Sequence, residues 1–132
     1  MWYGPSGIGT TRGLAGFRKH HQRPFLAGMP DREIHRKFAW IGEGNYAAVG
    51  GWPHMRATHT GPHWLGLPAT GKSFTLRVFD FWRRERDRLR ENWVAIDIIH
   101  ILDQIGYDVF EAMHIQADRG LHLEMQMTRG PK

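Results

Sequence analysis

The sequence predicts an α+β domain in which a curved, mostly antiparallel sheet packs on helices. Three observations predict it. A helical stretch lies near the start, strand-like runs fill the middle, and a hairpin with a charged tip leads into a short amphipathic helix that stops at Gly106. The 132 residues are 41% hydrophobic and 23% charged, the balance of a globular chain able to bury one core.

In order, residues 1–12 are rich in Gly, Pro, Ser and Thr and read as an irregular lead-in. A helix is expected over residues 13–28, with Leu14, Phe17, Phe25 and Leu26 on its buried side and Pro24 bending or splitting it. Residues 33–41 read as a strand, closed by the turn signal Glu43-Gly44-Asn45. Residues 46–60 read as one long bent strand. Proline cannot donate to a ladder, so Pro53 belongs at a bulge or an edge. A loop over residues 61–72 precedes strands at 73–84 and 89–96, joined around Arg86-Asp87. The helix over 97–105 follows, and a tail beginning at Tyr107 extends it to about Gln116 with Phe110 and Met113 on the packing side.

The formal charge of +5 is concentrated early, because residues 1–56 carry eight Lys/Arg against three Asp/Glu while residues 57–132 carry ten of each. No nucleic-acid motif accompanies the basic half, so it reads as a solvated surface and no nucleic-acid partner is expected. No apolar run reaches the length of a bilayer crossing, the N-terminal residues lack the apolar core of a secretory leader, and cysteine is absent. A cytoplasmic protein without membrane contact is the expectation. The histidines at 20, 21, 54, 59, 63 and 100 match no zinc spacing, so no metal is expected. The stretch from Gly66 to Lys72 lacks the spacing of a phosphate-binding loop.

Thr58-His59-Thr60-Gly61, followed by Leu65-Gly66-Leu67-Pro68-Ala69-Thr70-Gly71-Lys72, resembles a signature of the SnoaL-like polyketide cyclases and ester cyclases, within the nuclear-transport-factor-2-like superfamily. Phe25, Pro30-Asp31, Phe81-Trp82-Arg83, Glu91-Asn92-Trp93, Asp97 and Gln104-Ile105-Gly106 continue that pattern in order, so the resemblance runs over about residues 13–106 of one domain. It implies a cone-shaped fold around a pocket for a small hydrophobic or polyketide-like ligand. It also implies that the chain as read lacks the usual N-terminal helices and first strand and adds a tail over residues 107–132.

The candidate chemistry follows from strand parity. A two-residue loop at Arg86-Asp87 pairs Glu85 with Arg88, Asp80 with Trp93 and Leu76 with Asp97. One face then carries Leu76, Val78, Asp80 and Trp82 with Glu91, Trp93, Ala95 and Asp97; the other carries Arg77, Phe79, Phe81 and Arg83 with Arg90, Asn92, Val94 and Ile96. In the resembled cyclases the aspartate matching Asp97 acts as acid and base in an aldol ring closure without metal or cofactor. A carboxylate beside Trp93 in an apolar pocket would hold its proton more tightly, as that task requires. Asp97 also opens a helix, where Asp serves as an N-cap, and both roles stay open. His59 is the second catalytic candidate, with bonding to the backbone of the following loop as its alternative role. Trp93, Trp82, Trp64, Glu91 and Asp80 are the candidate ligand-binding residues. Asp80 lies about 13 Å of strand from the level of Asp97, so it and Glu91 are each expected to pair with an arginine.

The function expected is a cofactor-free lyase or isomerase acting on a hydrophobic carbonyl compound. A non-catalytic ligand-binding or assembly module is the alternative, and an epoxide hydrolase or steroid-isomerase-like enzyme would use the same carboxylate. An open pocket containing the carboxylate favours an enzyme, whereas a filled pocket with Asp97 capping a helix favours the module. The face bearing Phe79, Phe81, Val94 and Ile96, rimmed by Arg77, Arg83 and Arg90, is too apolar to stay wet. A homodimer is expected to cover it, with the tail folded back through Phe110 and Met113 as the competing cover.

Overall fold

A computed structural model describes residues 1–35, 39–61 and 64–128, with side chains described as far as residue 120. Its elements are β1 (Trp2–Tyr3), β2 (Thr10–Thr11), α1 (Gly13–Phe17), a π-helical turn (Arg18–Gln22) and α2 (Arg23–Gly28), then β3 (Glu33–Ile34), β4 (Ala39–Glu43) and β5 (Tyr46–Thr58). A turn at Trp64–Gly66 precedes β6 (Ser73–Glu85), β7 (Arg88–Ile96), α3 (Ile98–Ile105) and α4 (Val109–Thr128). The strands form one sheet in the order β2-β1-β7-β6-β5-β3, with β4 also on β5, and every pairing is antiparallel except β1 with β7. This is the expected α+β architecture.

The helical stretch runs over residues 13–28 as predicted, with the π-turn just before Pro24, but Leu14 and Leu26 of its expected buried side are exposed. The strand expected over 33–41 is two short strands laid against successive halves of β5; residues 36–38 between them lie outside the described residues, as do Pro62 and His63 of the loop. Pro53 lies where the register of β5 against β6 shifts, between Gly51 and Met55, which meets the expectation of a bulge. The lead-in is less irregular than its composition suggests. Trp2 and Tyr3 pair in parallel with Asn92 and Trp93 and add a strand beside β7.

The hairpin departs from expectation in a way that matters for the site. Glu85 pairs with Arg88 as predicted and Arg84 with Leu89, but Arg83 then pairs with Glu91. Arg90 is therefore an extra residue, a bulge that moves every later residue of β7 to the opposite face. Asp80 faces Val94 rather than Trp93, and Val78 faces Ile96. The inner face consequently carries Leu76, Val78, Asp80 and Trp82 with Asn92, Val94 and Ile96. Glu91, Trp93 and Ala95 go to the outer face with Arg83, Phe81 and Phe79.

The core forms where this inner face meets α3 and the end of α2. Met29, Met55, Ala57, Trp64, Phe74, Leu76, Val78, Ile101 and Ile105 make one buried cluster, with Trp64 stacked on Phe74 at 6.1 Å. Gly61 passes so close to the helix end that a Cβ there would lie 1.9 Å from the carbonyl oxygen of Ala27. Only glycine fits. Gly106, at φ 97°, ends α3 with its N–H on the Asp103 carbonyl (3.0 Å) and the Tyr107 N–H on that of Leu102 (2.8 Å). The tail then starts a separate helix, α4, rather than extending α3, and Phe110 and Met113 on it stay exposed.

β7 ends opposite Val78, so Thr75 of β6 has no strand on that side. Gln104 takes the place of one: its Nε2 donates to the Thr75 carbonyl (2.9 Å) and its Oε1 accepts from the Thr75 N–H (2.9 Å). The side-chain amide thus continues the ladder and ties α3 to the sheet. Gln104→Ala leaves one donor and one acceptor of the backbone unpaired, and thermal denaturation is expected to show a loss of about 2 kcal/mol. A change within error would mean that water replaces both bonds.

Candidate active site

On the inner face, apolar side chains from the sheet and the helical stretch line an open cavity of about 320 Å³. Trp2, Phe17, Phe25 and Trp82 wall it, Leu76, Val78, Val94 and Ile96 floor it, and its polar groups are His21, Arg32, His54, Asp80 and Asn92. β6 and β7 supply the last two. Asp80 stands opposite Val94, and Asn92 opposite Trp82, so the pair meet diagonally across the hairpin. The Asn92 Nδ2 donates to Asp80 Oδ1 and also to the Phe81 carbonyl at 3.0 Å.

Asp80 is the carboxylate of this cavity. Burial among apolar walls pushes its pKa from 3.8 up to about 6, against the opposing pull of the Asn92 hydrogen bond. His21 stacks on the Trp2 indole at 4.0 Å, and burial lowers its pKa to about 4. His54 is lowered as well, by burial first and then by the charge of His35. Near neutral pH the cavity therefore holds two uncharged imidazoles and one carboxyl group that exchanges its proton close to that pH. This arrangement suits proton transfer to and from a bound carbonyl compound.

The other sequence-chosen residues lie elsewhere. Asp97, moved outward by the Arg90 bulge, accepts from the His100 N–H at 3.1 Å as the N-cap of α3 and from Arg77 Nη1 at 3.4 Å. It borders a surface hollow with His100, Asp103 and Tyr107, not the inner cavity. Trp93 stacks on Tyr3 at 5.8 Å on the outer face, and Glu91 there pairs with Arg83 as expected. Asp80 departs from the expected arginine pairing and bonds to Asn92 instead. Trp64 belongs to the core. His59 is fully buried beneath the loop it precedes: Nδ1 meets the Thr70 hydroxyl at 3.2 Å, and its backbone carbonyl accepts from Thr70 and Gly71. Of the seven candidates, Asp80 and Trp82 share the cavity.

Asn92, His21, His54 and Trp2 escaped the sequence reading. For Asn92 the signal was present, in Glu91-Asn92-Trp93, but the unbulged register put it on the outer face. Among the described residues no three His, Asp or Glu side chains converge on a point where a metal ion would sit, and no helix is long and apolar enough to cross a membrane.

The raised pKa of Asp80 makes stability depend on pH. Below its unfolded value of 3.8 both states hold the proton, and between there and about 6 only the folded state does. Its contribution to stability is therefore full at low pH and is lost as pH rises through about 6. Asp80→Asn is neutral throughout and escapes that loss. The difference in Tm, variant minus wild type, is expected to be larger at pH 7 than at pH 4; an equal difference at both would show a carboxyl group with its ordinary pKa.

The sequence profile of the SnoaL-like polyketide cyclases matches residues 3–105, which extends the resemblance through the short strands of the lead-in. Among solved structures, AclR of Streptomyces galilaeus, described as a candidate hydroxylase, superposes with a TM-score of 0.61 at 20% identity, covering 80% of this chain and 73% of that one. IdmH of Streptomyces antibioticus, described as a candidate polyketide cyclase, gives 0.60 at 23% identity over 80% and 77% of the two chains. A candidate SnoaL-like polyketide cyclase from Jannaschia sp. CCS1 gives 0.64 at 16% identity over 79% and 68%. At these identities the likeness is one of fold. No curated protein matches the sequence. The profile spans most of the chain and the solved relatives share its architecture, and the chain belongs to the SnoaL-like polyketide cyclase family, with the nuclear-transport-factor-2-like fold.

Proposed function

We propose that the protein is a cofactor-free lyase or isomerase of the polyketide cyclase type, acting on a hydrophobic carbonyl compound held in the inner cavity. The observation that carries this reading is Asp80, a carboxyl group set among apolar and aromatic walls and hydrogen-bonded to Asn92. In an aldol ring closure Asp80 takes the proton from a carbon next to one carbonyl of the ligand. The resulting enolate carbon bonds to a second carbonyl carbon, whose oxygen becomes an alkoxide. Asp80 returns the proton to that oxygen, so the atoms balance and no external acid or oxidant is needed. Trp2 and Trp82 would hold the carbon skeleton, and the cavity walls would exclude the water that competes for the enolate.

One observation favours the non-catalytic alternative: Asp97, the family's expected acid–base position, is engaged as a helix cap and with Arg77. The two readings separate in a screen of dicarbonyl and polyketide-like compounds. Asp80→Asn is expected to lower turnover by about 100-fold or more while ligand binding survives. Asp97→Asn is expected to keep turnover and lose about 1 kcal/mol of stability through the cap. Turnover that survives Asp80→Asn and dies in Asp97→Asn would return the role to Asp97. Binding without turnover in the wild type would leave a binding module.

We also propose that a second copy of the chain covers the outer face. The bulge removes Val94 and Ile96 from the patch expected there, yet Ile41, Trp52, Phe79 and Phe81 remain 67%, 63%, 52% and 48% exposed and line one open hollow. Among the described residues Phe110 and Met113 of the tail are themselves exposed. Arg77 lies over the Trp52 ring at 4.4 Å, and the Arg83–Glu91 and Arg90–Glu85 pairs stand beside the patch as a polar rim. Such a surface suits a contact of about 800 Å² per partner. Light scattering at micromolar concentration is expected to give twice 15.3 kDa, and Phe81→Glu to give the monomer. A wild-type monomer would overturn the dimer.

A further inference from the structure

The geometry points to Asn92 as the positioning residue of the cavity: its side-chain amide fixes which oxygen of Asp80 faces a ligand. Both Nδ2 hydrogens are used, one on Asp80 Oδ1 and one on the Phe81 carbonyl. The opposite amide orientation would set Asn92 Oδ1 against two acceptors, so the side chain has one stable placement. Phe81 is the strand neighbour of Asp80, and its carbonyl is fixed by the backbone of β6. Asn92 therefore ties the carboxylate to a rigid reference point. Asp80 Oδ2 and Asn92 Oδ1 take no hydrogen bond among the described residues, which leaves one titratable oxygen and one acceptor of this pair open to a ligand. A ligand that places a hydroxyl or enol on Asn92 Oδ1 would bring the adjacent carbon or oxygen to Asp80 Oδ2.

This inference rests on the reading of Asp80 as the acid–base group, but its test needs no turnover. The other titratable or charged groups that line the cavity are His21 from the π-turn, Arg32 after α2 and His54 on β5. Among the described residues the hydrogen bond that Asp80 accepts comes from Asn92, and this is the contact that holds the carboxylate form. Removing it should make Asp80 hold its proton more tightly.

The experiment is an NMR titration of ligand-free protein. In the wild type, the Asn92 side-chain amide resonance should move with pH at the same midpoint as the Asp80 carboxyl carbon. In Asn92→Leu, which keeps the branched shape and loses both donors, the Asp80 midpoint is expected to rise by about one pH unit. A merely structural role for Asn92 would change stability and leave that midpoint in place. An Asn92 amide that stays flat through the Asp80 titration overturns the proposal on the wild type alone, whether or not the variant folds. An unmoved midpoint in a folded Asn92→Leu overturns it as well. Should the Asp80 reading fail by its own turnover test, this coupled titration still stands or falls independently.

Discussion

The pairing of the cavity's carboxylate with its hydrogen-bond donor depends on one extra residue. Side chains on a strand alternate between faces, so the identity of the inner face is a matter of parity, and the bulge at Arg90 resets that parity for the rest of β7. Upstream of it, Glu85 and Arg88 pair as a simple hairpin would. Downstream, Asn92, Val94 and Ile96 turn inward, and Glu91, Trp93 and Ala95 turn outward. The bulge brings Asn92 diagonally across from Asp80 and sends Asp97 to the outside, where it caps α3 and meets Arg77.

α3 holds the arrangement together at its other end. Asp97 begins the helix, Gly106 ends it, and between them Ile101 and Ile105 pack into the core while Gln104 completes the edge of β6. The two ends of the inner face are therefore fixed by different means. One is held by apolar packing against the helix, and the other is an open cavity walled by aromatic rings. A carboxylate tolerates that second end because it keeps a hydrogen-bond donor there.

Much of this was legible in residues alone. Glycine and proline positions marked the helix ends, the β5 bulge and the turn between β4 and β5, because each reflects a backbone requirement that few residues meet. The signature through residues 58–72 and 91–106 gave the family because its spacing is distinctive. The register of β7 was not legible. Residues 93–96 are apolar in succession, so no alternation shows which face is inside, and a bulge with a helical-type residue needs no glycine to announce it. Trp2 was hidden for a different reason: a two-residue strand inside a turn-rich segment has no period to detect. Asp97 was chosen through the family resemblance, and the unbulged register placed it on the same face as Asp80 and Trp93; the bulge separates them.

Hairpin tips ordinarily tolerate length changes, since added residues loop into solvent. Here the tip region belongs to a counting device. Gaining or losing one residue between Arg84 and Glu91 would exchange the lining of the cavity with the surface of the opposite face, while two residues would restore it. Length variation among relatives at this hairpin should therefore come in even steps, or be matched by a compensating bulge. An alignment that slides a single gap through the segment will carry the wrong side chains into the site without disturbing one identity in the signature.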